Sequence, residues 1–371
     1  MLRGKGKGIT LVALVITIVI LLILAGISIS TLTNTGIFQK AKDAKGASEN
    51  AEKEQKQTLS EYEKELNKYT AQELTDDKIN KVLSETENIV LKDANGNIFT
   101  LPAGFKVVVN DDTGNAKTVD KGIVIEDATD LATKGSQFVW VPVGTITKTD
   151  GTHTEIKLNR YTFDEDGIAK AQNESIVDVY YSETESKGNT VAKSISDFKL
   201  SVTTNGGYYI GRYEARTINP RSDKGDALAQ ITEKGTDQVY NFVTQIQAAS
   251  QAKNMYNSSN FTSDLMNSYA WDTAILFLQN CGTNKKYSKE KNGINTSLSP
   301  MGTTDKQCNI FDMANNVLEW ITETSSYAGL PCVHRGGSYY YKSYCTSSRG
   351  VDSDLDSSKI LGFRPFLYLN V

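Results

Sequence analysis

Few side chains in this 371-residue sequence are placed to do covalent or metal chemistry. Its four cysteines, Cys281, Cys308, Cys332 and Cys345, show no C-x-x-C spacing. They read either as free structural thiols or, in oxidising surroundings, as up to two disulfides with three possible pairings. The two histidines, His153 and His334, are too few for a histidine metal cluster, and His334 reads as a surface residue. There is no nucleophile motif and no glycine-rich phosphate loop. Contact chemistry is what the sequence concentrates. Four of the 18 tyrosines fall within residues 339–344, followed by Thr346, Ser347, Ser348, Asp352, Ser353 and Asp354. Tyrosine offers rigid amphipathic area at low entropic cost, and serine and aspartate add adaptable polar contacts. The competing reading is an ordinary tyrosine-rich loop and edge strand.

Those residues need a scaffold, and the pattern supplies one. Short apolar runs separated by turn residues begin near residue 89, with Asn95-Gly96 between two of them as a hairpin signal. Runs at 105–110, 122–125 and 138–143 continue the strands. Residues 239–255 and 264–278 have helical periodicity. Trp271 and Trp320 are expected as core anchors whose indole N–H groups find partners. Gly336-Gly337 predicts positive φ or close backbone approach, and Arg364 a buried partner for a carboxylate such as Glu319.

Hydrophobic residues make up 39% and charged residues 23%, with 6 Pro against 28 Gly, so most of the chain is expected to fold. A net charge of −4 gives no basic field for a nucleic-acid partner. Residues 9–29 carry no charge and have bilayer length as a helix, preceded by Arg3, Lys5 and Lys7. The positive-inside bias then places everything after about residue 30 outside. A cleaved signal, a plain signal anchor and a processed leader compete for this segment. Residues 39–70 hold seven Lys against seven Asp plus Glu and no Pro, which favours a helical stalk. On it Leu59, Tyr62, Leu66 and Tyr69 form a narrow stripe, expected either to pack on the next domain or to serve as a self-association seam.

The stretch Lys7-Gly8-Ile9-Thr10-Leu11-Val12-Ala13-Leu14 resembles the processing site of type IV prepilins. The resemblance implies cleavage between Gly8 and Ile9 and partners in a prepilin peptidase and pilin subunits, although Ala13 stands where most pilins carry Glu. Further on, Phe138-Val139-Trp140-Val141-Pro142-Val143, Tyr208-Tyr209-Ile210-Gly211-Arg212-Tyr213-Glu214, Asn315-Asn316-Val317-Leu318-Glu319-Trp320, Arg335-Gly336-Gly337-Ser338 and Leu361-Gly362-Phe363-Arg364 together resemble the formylglycine-generating, sulfatase-modifying family, whose domains have a C-type-lectin-like fold. That resemblance implies a copper site of two cysteines. Cys345 matches the second, but Tyr340 or Tyr341 fills the first, so no such catalysis is expected and no cofactor is required. By the same resemblance Asn315, Val317 and Glu319 are candidate calcium ligands, with Glu319 as a hydrogen-bonded core carboxylate the alternative. In lectin-like domains diversified by retroelements the variable residues lie in this last stretch, which implies a ligand face of Tyr339, Tyr340, Tyr341, Tyr344, Ser347, Asp352 and Asp354.

The expected fold is thus α+β: a single N-terminal transmembrane helix continuing into a helical stalk, then a mixed α/β, C-type-lectin-like domain with irregular loops. Its segments are a basic leader (1–8), the membrane helix (9–30), the stalk (31–88), a strand-rich part (89–135) and the lectin-like domain (136–371). The expected function is a pilin-like, surface-displayed binding protein for an extracellular protein or glycan. It would be anchored in the cell membrane with its C-terminal domain outside and a possible place on a pilus. An extracytoplasmic oxidoreductase and a structural minor pilin are the alternatives.

Overall fold

The computed structural model describes residues 37–129, 131–172, 195–291, 297–299 and 305–371. It divides into two units, Met1–Leu59 and Ser60–Val371. Helix α1 spans Ile37–Thr70, a proline-free stretch rich in Ala, Glu, Gln and Lys, all strong helix formers. Up to Leu59 it belongs to the first unit. In the second, its Ser60 is buried, and Thr204 donates a 2.6 Å hydrogen bond to the Ser60 hydroxyl. Tyr62, Leu66 and Tyr69 remain 72%, 59% and 86% exposed. The apolar stripe is therefore not the face that packs.

Two expectations are corrected here. The stalk does not reach residue 88. The helix stops at Thr70, and Gln72–Glu73 pairs in parallel with Leu91 and Lys92, because Leu74 and Leu83 are drawn onto the core. The fold class changes as well. Among the described residues no helix is long and apolar enough to cross a membrane, since α1 carries charge along its length. The membrane and transmembrane assignments therefore have no support. Residues 9–30, Gly8 and Ile9 lie outside the described residues. The Ser60–Val371 unit is built mostly of short strands, with few helices.

Its centre is a six-stranded antiparallel sheet in the order Phe261–Leu265, Pro365–Leu369, Gly207–Gly211, Gln137–Pro142, Val124–Asp127, Phe105–Val108. Both faces are covered. Trp140, Tyr209 and Leu367 point into one apolar cluster, and Val139, Val141, Tyr208, Ile210 and Phe366 into a second. Side chains alternate between faces along a strand, so a strand covered on both sides reads as a continuous apolar run. Helix α2 (Ile195–Asn205) and helix α4 (Ser268–Cys281) contribute to the second cluster; helix α3 (Gln245–Lys253) contributes to the first.

Helix α3 is shorter than the periodicity of 239–255 predicts. Thr244 and Gln247 form a capping box at its start, satisfying orphan N–H groups there, and Gln238–Val239 is a strand instead. The hairpin signal is met: Ile89–Lys92 pairs antiparallel with Ile98–Leu101. A four-stranded sheet, ordered Arg349–Asp352, Cys332–Arg335, Leu318–Thr324, Leu361–Phe363, carries the residues of interest.

Candidate binding face

The window begins where the Cys332–Arg335 strand ends. Gly336 has φ +83°, and a Cβ there would lie 2.7 Å from the Met313 carbonyl oxygen; on Gly337 it would lie 2.0 Å from that of Ala314. Only glycine lets the chain lie this close to the 313–316 loop. The Tyr339 N–H then donates to Asn316 O (2.9 Å), and the Tyr341 N–H to Ser338 Oγ (3.0 Å). This turns the following side chains outward. Tyr339 is buried, whereas Tyr340 and Tyr341 are 60% and 42% exposed.

The rings form an edge-to-face series. Centroids are 6.4 Å apart from Tyr339 to Tyr340, 5.1 Å to Tyr341, 5.5 Å to Tyr344, 5.8 Å to His334 and 5.9 Å to Trp320. Such contacts are the favourable geometry for aromatic quadrupoles. Trp320 anchors the inner end with its indole N–H on Val243 O at 2.8 Å. Trp271 sits below the next turn, donating to Thr346 O at 3.0 Å.

His334 is buried, contrary to the surface position expected. It is a strand residue held edge-to-face between Trp320 and Tyr344. Burial, and then the Arg335 guanidinium, push its pKa down to about 4, so the ring is neutral near pH 7. Asp352 lies 3.4 Å from its Nε2. Burial, and then the neighbouring Asp356 carboxylate, push Asp352 up to about 6. The structure thus joins the Tyr344 end of the tyrosine series to Asp352 through a histidine that sequence reasoning missed. The signal was its place in an apolar strand, Cys332-Val333-His334.

The other expected face residues are placed differently. Tyr339 serves the core. Ser347 lies in the turn after Cys345, its N–H donating to Ser288 O (3.0 Å), and Asp354 accepts from Ser353 Oγ (3.4 Å). Cys345 Sγ lies 3.5 Å from Ser347 Oγ and 3.4 Å from Ser348 Oγ. Burial opposes ionisation of this thiol, but the hydrogen bonds from Ser348 and Ser347 outweigh it, and the pKa falls below the ordinary thiol range.

Of the candidate calcium ligands, Glu319 is already paired with a guanidinium. Both Glu319 oxygens are taken by Arg364, at 2.7 Å and 3.1 Å, in a fully buried pair. The Asn315 side-chain oxygen accepts the Asn316 N–H (2.7 Å), and the Val317 N–H donates to Glu214 (3.0 Å). A cation already stands at Glu319. Among the described residues no group of three or more His, Cys, Asp or Glu is placed to hold a metal ion.

No family model and no curated protein matches the chain. Among solved structures, Treponema denticola variable protein 1 is similar at a TM-score of 0.37 and 13% identity, covering 64% of this chain and 97% of that one. The CarF crystal structure is similar at a TM-score of 0.28 and 15% identity, covering 36% and 67%. These scores are too low to assign a shared fold.

Proposed function

We propose that this chain is a surface-displayed binding protein whose recognition face is formed by Tyr340, Tyr341 and Tyr344 with Asp352. One observation carries the reading. Tyrosines whose backbone is fixed by the Gly336-Gly337 turn present exposed rings in an edge-to-face series. Large aromatic side chains held in place lose little entropy on contact and dominate binding energy at interfaces. The expected ligand is an extracellular protein or glycan that meets rings and a carboxylate together. Residues that vary between close relatives are expected to cluster at Tyr340, Tyr341 and Lys342, whose side chains the fold does not bury.

The test is binding of the purified full chain to arrays of extracellular proteins and of glycans. A ligand bound by the parent should lose about tenfold or more in affinity with Tyr340→Ala/Tyr341→Ala, with the thermal midpoint unchanged. Equal binding by the double variant, or no ligand on either array, would count against the proposal.

A further inference from the structure

Helix α4 ends at Cys281. Directly after it, the N–H groups of Thr283 and Asn284 donate to Gln307 Oε1 at 3.0 Å and 3.3 Å. Gln307 immediately precedes Cys308, in the turn between the Lys306–Gln307 and Ile310–Phe311 strands. One glutamine thus holds the chain leaving Cys281 against the chain entering Cys308. Both are free cysteines of half-buried residues, packed on the same apolar cluster. Cys308 Sγ lies 3.7 Å from Asp120 O. Asp120, Lys121 and Lys285 are electrostatic neighbours of both thiols, and burial, then the Cys281 thiol, raises the pKa of Cys308.

We propose that Cys281 and Cys308 are a disulfide site, which closes when the protein meets a disulfide oxidant. Of the six single bonds open to four cysteines, only this one is then formed. Cys332 is buried in a strand, and Cys345 lies among Ser347 and Ser348. With glutathione disulfide, the Cys281 thiolate attacks one sulfur and releases a glutathione thiolate. The Cys308 thiolate then attacks the Cys281 sulfur of the mixed disulfide and releases the second glutathione. The two cysteines lose two electrons and two protons, and the oxidant takes them up. Burial pushes Cys281 up to about 12 and Cys308 higher still. The attacking thiolate is scarce at neutral pH, and closure accelerates roughly tenfold per pH unit.

The bond would staple a loop that supports the candidate face. Ser288 O and Glu290 O accept the N–H groups of Ser347 (3.0 Å) and Thr346 (3.1 Å), and Lys291 bridges to Cys345. This proposal does not depend on the ligand reading.

The test incubates the full chain with glutathione disulfide at about pH 8.5, blocks remaining thiols and maps peptides without reduction. The expected result is a Cys281–Cys308 linked pair, present also in Cys345→Ser. Cys281→Ser and Cys308→Ser should lose it, and reductant should lower the thermal midpoint of the oxidised parent but of neither variant. Slower amide exchange at residues 287–291 should accompany closure. Recovery of both cysteines blocked as thiols, a stable glutathione adduct on Cys281 or Cys308 without a link, or linkage of either to Cys332 or Cys345 would overturn the proposal.

Discussion

Cys345 and Cys281 have opposite electrostatic settings. Serine hydroxyls lower Cys345, whereas burial pushes Cys281 up to about 12. Since the thiolate is the nucleophile, iodoacetamide at about pH 8 should label Cys345 first in the native protein. Peptide mapping that found Cys281 or Cys308 labelled ahead of it would contradict this assignment. Asp352 and His334 make an opposed pair. Asp352 is raised in the fold, so its contribution is fully present below the unfolded carboxylate range and is lost as pH rises through about 6. His334 is lowered, so the folded state resists protonation and loses stability as pH falls from about 6.5 towards 4. The two trends partly cancel between about pH 4 and 6. Asp352→Asn removes the first alone, so its thermal midpoint should fall more steeply on acidification from pH 7 to 5 than the parent's. Parallel curves would refute the assignment.

At the scale of elements, the Leu318–Thr324 strand and the chain closing on Arg364 are joined by the buried Glu319–Arg364 pair. Arg364 also donates to Gly211 O (2.9 Å) and Phe311 O (2.8 Å), tying this sheet to the six-stranded one. Removing one partner strands the other charge, which costs about 3–5 kcal/mol. Glu319→Ala should therefore lower the urea midpoint strongly, and a loss under about 1 kcal/mol would show that the pair contributes little. The exposed stripe on α1 gives the converse case. Leu66→Lys touches no core contact, and its unfolding free energy should stay within about 0.5 kcal/mol of the parent. A larger loss would place Leu66 in a packed interface.

For the whole molecule, the guanidinium at Glu319 predicts that calcium binding at that carboxylate adds no stability. Millimolar calcium or chelator should leave the thermal midpoint unchanged, and a chelator-induced drop would show a site that this geometry does not provide. The hairpin at Asn95-Gly96, the strands at 105–110 and 138–143, the tryptophan anchors and the Arg364–Glu319 pairing were legible in the sequence. Each follows from local turn chemistry, side-chain alternation or the high cost of an unpaired buried group. The helix limit at Thr70, the strand-dominated architecture and the burial of His334 were not legible, because distant chain segments decide them. Leu74 and Leu83 leave a favourable helical composition for a core that residue-level propensity cannot see. The sequence by itself determined that tyrosines and aspartates gather in one short window. Which of them face outward was decided only by the tertiary structure, where the 313–316 loop lies against Gly336 and Gly337, burying Tyr339 and leaving Tyr340 and Tyr341 in solvent.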